Sequence, residues 1–468
     1  MQLPLSPASE GYAGAFFYEK GSVIMKKWMI FVLSAVVLFN LSLPPSLSAM
    51  QHYVTEYMVV FEQEEGLPAN YRAIVHNAGG VIEKEYSKLG AVKASSMNPG
   101  FLPAIKKHPA VASAGIPGII RPEQLEYIEM DSPTAVEAHG GHDLYETYQW
   151  DIKQVTGNGA SWEMRGGTGQ PVDGQPVVIA VVDTGIDYTH PDLSGNYLYG
   201  KSFVDNEPSA RDYSGHGTMV AGMIAANGRV MGVGPDLKLA SYRVFGQLNS
   251  ASTFEIAEAV MTAADDQVDV INLSLGGYIW VKNPEQNEKD NRAELKMFRR
   301  AVKYAIKKGV VVVNSAGNLG ADVSDPNELT RLLYGEDASG KTYRNPDHKD
   351  MIVVSSGTLG LQLASYSNYG RNVIDVMAPG GERNPGVSCV STSLNGRYGQ
   401  AFGTSLAAPK VSALAGIIIA RQGKKTLKPG EVAKIIAKSS KDLFGKGKDE
   451  FSGYGLIDAV SALSRSDA

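Results

Sequence analysis

Five short, largely apolar runs constrain the fold of this chain more than any other feature. They cover residues 177–182, 238–245, 268–275, 309–315 and 351–355. Apolar runs of this length are typical of strands that are buried on both faces of a parallel sheet. Helical patterns separate several of these runs, at residues 216–226, 253–265 and 292–308. Strands that alternate with helices predict an α/β fold with a doubly wound, mostly parallel sheet.

A smaller unit at residues 54–122 precedes this α/β region. Its patterns follow the order strand, helix, strand, strand, helix, strand, which is typical of a small α+β domain of the split βαβ, or ferredoxin-like, kind. A unit of about 70 residues is only marginally stable by itself, so we expect it to fold against a partner surface. Residues 123–149 are acidic and polar. They indicate an exposed linker, the kind of segment in which proteolytic cleavage concentrates.

Residues 25–49 have the pattern of a secretory signal peptide. Lys26 and Lys27 come before an apolar run at 28–39, and a stretch of small residues follows. The run is shorter than a typical membrane span, although an anchor that stays uncleaved is the alternative. Residues 1–24 contain no recognisable motif and are interpreted as an upstream extension.

Net charge and cysteine content argue against two classes of function. A net charge of −5 provides no basic surface, so we expect no nucleic-acid partner. Cys389 is the only cysteine, and an intrachain disulfide is therefore impossible. A lone thiol invites comparison with cysteine proteases, but no local pattern supports that function. We expect Cys389 to be a small buried apolar residue.

Three polar residues stand where the chain leaves a strand or enters a helix. Asp183 ends the apolar run at 177–182, whereas His216 and Ser405 each open an apolar helix. Taken singly, they have structural explanations as a turn residue, a helix residue and a helix cap. Together they supply the acid, the base and the nucleophile of a serine hydrolase. A serine hydroxyl becomes a good nucleophile when a base takes its proton and an acid orients that base.

The sequence around these three residues resembles the three signature blocks of the subtilisin family of serine proteases. The blocks are 183–187 (DTGID) with 190–193 (HPDL), 215–218 (GHGT) with 220–222 (VAG), and 403–409 (GTSLAAP). Their order along the chain, Asp, His and then Ser, is also that of the family. The resemblance covers about residues 140–463 and implies a subtilisin-like catalytic domain over 150–463.

The resemblance implies a role for each of these residues. Ser405 attacks the scissile carbonyl, His216 acts as general base and then as general acid, and Asp183 orients His216. Residues 316–318 (AGN) resemble the family's oxyanion block. The Asn318 amide and the Ser405 N–H would therefore bind the developing oxyanion. The implied function is a serine endopeptidase that acts through an acyl-enzyme and needs no cofactor for its chemistry.

The resemblance also implies a substrate groove that lies between two edge segments. Substrate-binding residues on the edge that pairs with an extended peptide are Ser274, Leu275 and Gly276. Substrate-binding residues on the opposing edge are Asn249, Ser250 and Ala251. The second segment lacks the glycines that many relatives carry, which leaves the depth of the outer subsites open.

Residues 54–122 resemble the inhibitory propeptide of the family, and this implies a proenzyme that processes itself. We expect the propeptide to act as an intramolecular inhibitor. Its end, at 119–122, should occupy the substrate groove. Cleavage within 123–149 would then release the mature enzyme.

Two departures from the family pattern leave alternatives open. Asp192 matches one ligand of the strong calcium site of well-known members, but the loop at 226–232 is shorter and lacks the other ligands. A structural calcium ion at this position is therefore in question. A polar insert at 321–350 either shapes a specificity pocket, docks a substrate or is a solvated loop.

Several further stretches resemble the bacterial proteases that remove leader peptides from lantibiotics. They are 150–156 (WDIKQVT), 241–246 (SYRVFG), 367–370 (SNYG) and 407–412 (AAPKVS). This resemblance implies a polypeptide substrate such as the leader of a bacteriocin precursor. We expect a secreted monomer. Broad protein degradation is one alternative, and a catalytically silent peptide-binding protein on the same fold is the other.

Overall fold

The computed structural model describes most of the chain after residue 53. The described residues are 54–122, 128–129, 142–276, 279–282, 292–335, 342–344, 347–383 and 387–465. The expected signal peptide at 25–49 and the extension at 1–24 lie outside them, as does most of the segment 123–141.

Residues 54–122 form a small α+β sub-domain with the predicted element order. Its elements are β1 (Thr55–Phe61), α1 (Tyr71–Asn77), β2 (Val81–Tyr86), β3 (Ala91–Ser96), α2 (Phe101–Ile105) and β4 (Val111–Gly115). The strands form an antiparallel sheet in the order β2-β3-β1-β4, which is the ferredoxin-like topology.

The central strand of this sheet is buried on both faces. Val59 and Phe61 belong to the sub-domain's own core, whereas Met58 and Val60 join a second core that contains residues of the large α/β region. Successive side chains of a strand point to opposite faces. One face of the sheet therefore packs on the sub-domain's helices, and the other packs on the large region, as its marginal size predicts.

After residue 115, the described part of the chain contains fourteen strands and nine α-helices. The strands are β5 (Arg121–Pro122), β6 (Ile128–Glu129), β7 (Val178–Asp183), β8 (Tyr197–Ser202), β9 (Lys238–Arg243), β10 (Val270–Leu273), β11 (Leu275–Gly276), β12 (Ile279–Lys282), β13 (Val311–Ser315), β14 (Thr342–Arg344), β15 (Ile352–Gly357), β16 (Val376–Pro379), β17 (Cys389–Thr392) and β18 (Tyr398–Ala401). The helices are α3 (Asp143–Tyr148), α4 (Trp150–Thr156), α5 (His216–Ala225), α6 (Thr253–Asp265), α7 (Ala293–Lys307), α8 (Pro326–Tyr334), α9 (Thr404–Gln422), α10 (Pro429–Ser439) and α11 (Ala459–Arg465).

A parallel sheet of seven strands forms the centre of this region. The strand order is β16-β15-β13-β10-β7-β9-β8, and every adjacent pair is parallel. Helices α5 and α9 contribute to the core on one face of the sheet, and α6 and α7 contribute to the core on the other. The predicted doubly wound α/β fold is confirmed. Helix α9 is long and apolar enough to cross a membrane, but it is almost wholly buried in this core.

Strand β7 shows why the sequence predicts the centre of the sheet well. All six of its residues are buried, and five of them are apolar. The edge strands β8 and β16 were not predicted. Strand β8 has the mixed sequence YLYGKS and a partly exposed surface, and β16 contains only four residues. Strand β8 therefore lacks the continuous apolar signal of strands that are covered on both faces, whereas β16 is apolar and buried but too short to stand out.

The interpretation of 123–149 as exposed is wrong for the end of that segment. Residues 143–148 form helix α3, and Leu144 and Tyr145 are buried in the main core. The Asp143 carboxylate pairs with the Arg229 guanidinium at 2.6 Å. This ion pair and the two buried side chains attach the end of the segment to the α/β region.

Candidate active site

Asp183 and His216 meet at the end of the central strand. Asp183 is the last residue of β7, and His216 is the first residue of α5. The His216 Nδ1 atom lies 2.7 Å from Asp183 Oδ1, and both residues are buried. A side chain at Gly217 would place its Cβ only 2.1 Å from the Gly185 carbonyl oxygen. The glycine after the histidine is thus required for this close approach.

Backbone and side-chain hydrogen bonds hold this pair in place. The Thr184 N–H donates to Asp183 Oδ1 at 2.7 Å, and the Gly217 N–H donates to Thr184 Oγ1 at 2.9 Å. A carboxylate that accepts from the Nδ1–H of a histidine fixes its tautomer and leaves Nε2 to act as a base. The arrangement can therefore take a proton from a neighbouring hydroxyl.

Asp212 positions the start of the histidine helix, and the sequence analysis missed this residue. Its Oδ1 accepts from the Gly215 N–H at 2.9 Å, and its Oδ2 accepts from the N–H and the hydroxyl of Thr218 at 2.9 and 2.7 Å. The side chain is buried, at 2% exposure. An acid a few residues before a helix that starts with Gly-His-Gly-Thr is the signal that could have identified it.

Ser405 and Asn318 are brought together through Thr404. Ser405 lies in the first turn of α9, and Asn318 follows the end of β13. The Asn318 Oδ1 atom accepts from the Thr404 N–H and from its hydroxyl, both at 2.9 Å. These two hydrogen bonds fix the orientation of the Asn318 amide. Its oxygen faces the start of α9, so its Nδ2 donor faces away from that helix. The Ser405 carbonyl accepts from the Ser274 hydroxyl at 2.8 Å.

The sheet explains why these groups share one location. Strands β7, β10 and β13 are parallel neighbours. Asp183 is the last residue of β7, Ser274 directly follows β10, and Asn318 lies shortly after β13. The carboxyl ends of parallel strands lie at one edge of the sheet, where open α/β folds build their sites. The structure thus brings the sequence-predicted residues to one edge.

A segment of the chain itself lies between the two predicted groove edges. Strand β5 pairs antiparallel with β11, with Pro122 opposite Leu275 and Arg121 opposite Gly276. On the other side, Ile120 exchanges two backbone hydrogen bonds with Ala251, at 2.7 and 2.8 Å. Residues 120–122 are therefore held as the middle strand of a three-stranded arrangement, which is the way that a β-strand is added to exposed edges.

The remaining residues of the opposing edge shape the turn before Ala251. Asn249 has a left-handed backbone conformation with a φ of 48°, and its N–H donates to the Gly246 carbonyl at 2.9 Å. Ser250 follows it, half-buried. Of the three residues predicted at this edge, Ala251 is the one whose backbone bridges to residues 120–122.

The chain is paired a second time just after this groove. Strand β6 pairs antiparallel with β18, with Glu129 opposite Gly399 and Ile128 opposite Gln400. Strand β18 ends four residues before Ser405, and the Ser274 hydroxyl at the start of the other edge contacts Ser405. The chain is thus attached at two places, through 120–122 to β11 and through 128–129 to β18.

Comparison with known proteins decides the family. Residues 174–455 match the family model of Peptidase_S8, the subtilase family. The chain belongs to the subtilase family. It is a serine endopeptidase of the subtilisin type, and this membership favours the enzyme over the catalytically silent alternative.

The subtilase is similar to proteases whose names refer to leader-peptide processing. It is 34% identical over 307 residues to the epidermin leader peptide-processing serine protease EpiP of Staphylococcus epidermidis, covering 58% of this chain and 65% of that protein. It is 31% identical over 338 residues to the nisin leader peptide-processing serine protease NisP of Lactococcus lactis, covering 65% of this chain and 48% of that protein.

A solved structure matches over a greater length. The crystal structure of a variant of the epidermin leader peptide processing serine protease EpiP from Staphylococcus aureus superposes with a TM-score of 0.72 at 26% identity. The match covers 88% of this chain and 99% of that one.

The residues around Asp192 do not fit the calcium ion that the family suggests. Asp192 Oδ2 accepts from the Val230 N–H at 2.9 Å, and Oδ1 accepts from the Tyr398 hydroxyl at 3.0 Å. Calcium takes roughly six to eight oxygen ligands, whereas each Asp192 oxygen already accepts a hydrogen bond. Within the described residues, no group of three or more acidic, His or Cys side chains is placed to hold a metal ion. The Arg229 guanidinium also lies over the Tyr398 ring, 5.3 Å from its centroid, and adds positive charge.

The insert at 321–350 is not a solvated loop along its whole length. Helix α8 lies within it, capped by the Asp325 carboxylate, which accepts from the Asn327 N–H at 2.8 Å. Leu329 in this helix is completely buried. Strand β14 pairs with β12, which follows the groove edge β11 along the chain. The insert is therefore attached beside the groove, consistent with a role in shaping it.

Cys389 is buried at the start of β17, as the sequence analysis expected. Burial raises the pKa of its thiol well above the usual range, and the nearby Asp151 carboxylate adds to the rise. A thiol kept protonated is a weak nucleophile. The neighbours Asp151 and Lys410 form an ion pair that the sequence analysis did not single out.

We expect removal of calcium to leave the thermal stability of this subtilase unchanged, because internal donors occupy the Asp192 carboxylate. Tyr398→Phe should lower the free energy of unfolding by about 1 kcal/mol through loss of one hydrogen bond to this carboxylate. Calorimetry of both proteins with and without EDTA measures the two effects. A wild-type unfolding temperature that falls by several degrees in EDTA would contradict the assignment.

Proposed function

We propose that this subtilase is a secreted endopeptidase whose catalytic triad is Asp183, His216 and Ser405. The observation that carries the proposal is the 2.7 Å contact between His216 Nδ1 and Asp183 Oδ1 at the sheet edge where Ser405 opens α9. The pattern of residues 25–49 supports secretion.

The reaction follows from these positions. The Ser405 hydroxyl attacks the peptide carbonyl carbon while His216 Nε2 takes its proton, and Asp183 stabilises the imidazolium that forms. The Asn318 side-chain amide and the Ser405 N–H bind the oxyanion, and each such donor is worth roughly a hundredfold to a thousandfold in rate. His216 then protonates the leaving amine. Water, activated by the same histidine, hydrolyses the acyl-enzyme.

Residues 54–122 would act as an inhibitory propeptide in this proposal. The pairing of 120–122 with Ala251 and β11 supports it, because the end of the sub-domain blocks the groove that a substrate needs. A second pairing, of 128–129 with β18, holds the chain beyond that segment. The maturation cleavage should therefore fall between residues 122 and 128.

The contacts of the sub-domain with α6 and α7 support a propeptide that binds the α/β region before cleavage and dissociates from it afterwards. The Arg300 guanidinium donates to the carbonyls of Phe61 and Leu89, at 2.7 and 2.9 Å. Lys84 and Lys88 form ion pairs with acids on α6 that remain partly exposed. Exposed ion pairs contribute little each and are weakened by salt. Once the covalent link is cut, dissociation becomes possible.

We expect secreted wild-type protein to lose its N-terminal sub-domain, with a new N-terminus between residues 123 and 128, whereas Ser405→Ala should keep the sub-domain covalently attached. Intact mass spectrometry and N-terminal sequencing of the secreted proteins measure this. Ser412→Ala is the matched control, since its hydroxyl lies in the same helix but donates to Asn272. Recovery of Ser405→Ala at the shortened mass would show that another protease performs the maturation.

The physiological substrate that we propose is the leader segment of a bacteriocin precursor. The similarity to EpiP and NisP supports this substrate class. The insert attached beside the groove supports selectivity over broad degradation.

The matured enzyme should cut such a precursor once, at the leader junction. Its kcat/KM for that bond should exceed the value for an unfolded general substrate such as casein by roughly a hundredfold. Mass spectrometry of timed digests of both substrates measures this ratio. Equal cleavage of casein at many bonds would instead support a degradative enzyme.

A further inference from the structure

The side chains of Lys410 and Asp151 carry opposite charges and are completely buried in the α/β region. The Lys410 Nζ atom lies 2.8 Å from Asp151 Oδ2, and neither side chain is exposed. Burial acts to lower the pKa of Lys410, but the Asp151 carboxylate outweighs it, so the pKa is raised and the amine stays charged. A buried ion pair is often no more stable than a well-packed apolar pair of similar size. Stability alone is therefore a poor explanation for this pair.

Lys410 also contacts the first turn of the helix that carries Ser405. Its Nζ donates to the Leu406 carbonyl at 3.0 Å. This turn needs support because Pro409, inside α9, has no N–H to donate to the carbonyl of Ser405. The Ser274 hydroxyl donates to that carbonyl instead, at 2.8 Å. Two side chains, Ser274 and Lys410, thus fix carbonyls in the turn that places the nucleophile.

Asp151 connects this turn to the start of the catalytic unit. It lies in α4, beside two other anchored residues. The buried Gln149 side-chain amide donates to the carbonyls of Met231 and Val390, both at 3.0 Å. The indole N–H of Trp150 donates to the Ser388 carbonyl at 3.2 Å. Residues 149–151 therefore form a rigid anchor at the head of the catalytic unit.

We propose that Asp151 and Lys410 are a positioning pair that fixes the first turn of α9, and with it Ser405 and its oxyanion-binding N–H. Lys410 contacts no reacting atom and acts through the Leu406 carbonyl. The inference rests on the proposed function, because it assumes that Ser405 is the nucleophile. A small displacement of the nucleophile acts on the chemical step more than on substrate binding.

The test replaces the charged pair by an apolar pair, because single substitutions would leave one buried charge without a partner. The variant is Asp151→Leu with Lys410→Met. Asp151→Asn with Lys410→Met, which changes volume less, is measured in parallel. The assay determines kcat and KM on a peptide substrate, the unfolding temperature, and the rate at which a maleimide reagent modifies Cys389. Cys389 Sγ lies 3.7 Å from Lys410 Nζ, so its protection reports whether the surrounding core stays closed.

We expect kcat to fall by roughly tenfold to a hundredfold in both double variants, with KM within about twofold of wild type. In at least one of them, the unfolding temperature and the protection of Cys389 should stay near wild-type values. The matched control is Asp269→Leu with Lys424→Met, which removes another largely buried ion pair, at 3.0 Å. That pair lies at the start of β10, at the opposite edge of the sheet from Ser405, and its removal should leave kcat unchanged.

A well-folded double variant with wild-type kcat would overturn the proposal and leave the pair a purely structural role. A loss of kcat that appears equally in the control variant would overturn it as well, because the effect would then follow from stability. If wild-type enzyme shows no reaction at Ser405, the proposed function itself fails. That outcome is distinguishable because it does not depend on either substitution.

Discussion

The candidate catalytic groups of this subtilase depend on the parallel alignment of β7, β10 and β13. Parallel neighbours end at the same edge, so residues that are far apart in sequence meet there without long connecting loops. The buried strand β7 ends on Asp183, and the carboxylate is placed where His216 can reach it. A shift in the register of these strands would therefore move Asp183, Ser274 and Asn318 apart from one another.

The chain's own groups occupy positions that the family resemblance assigns to a metal ion and to a substrate. Donors from Val230 and Tyr398 satisfy Asp192, and the strand at 120–122 occupies both groove edges. On this account, the unprocessed protein is stabilised by its own segments. In the proposed maturation, a substrate takes the place of the strand at 120–122. The buried pair of Asp151 and Lys410 takes no part in that exchange, and its proposed role is to fix the first turn of α9.

The sequence predicts the centre of the fold well because burial leaves a local signal. The continuous apolar run of β7 and the fully amphipathic pattern of α6 locate both elements to within a residue. The catalytic candidates were found because each carries a motif in its immediate neighbours. Strand β8 escaped prediction because an edge strand with one covered face shows mixed polarity.

Long-range pairings were the least predictable part of the site. Nothing adjacent to Asp151 or Lys410 in the sequence indicates that they neutralise each other, since the pairing exists only after α4 docks on α9. Helix α3 was mistaken for part of a linker for the same reason. One of its acidic residues, Asp143, has its partner, Arg229, on a distant loop. Charge patterns report the local chain, whereas burial of a charge depends on the completed fold.

The most direct test of the triad is covalent labelling with a fluorophosphonate, followed by peptide mapping, of matured wild type and of Asp183→Asn whose N-terminal sub-domain has been cut off by a second protease that is then removed. The account predicts one label per wild-type molecule, on Ser405. It also predicts a labelling rate lower by about four orders of magnitude in the folded variant, because the amide favours the wrong histidine tautomer. A matured wild type that stays unlabelled, is labelled at another residue, or reacts as fast without the Asp183 carboxylate would contradict the triad.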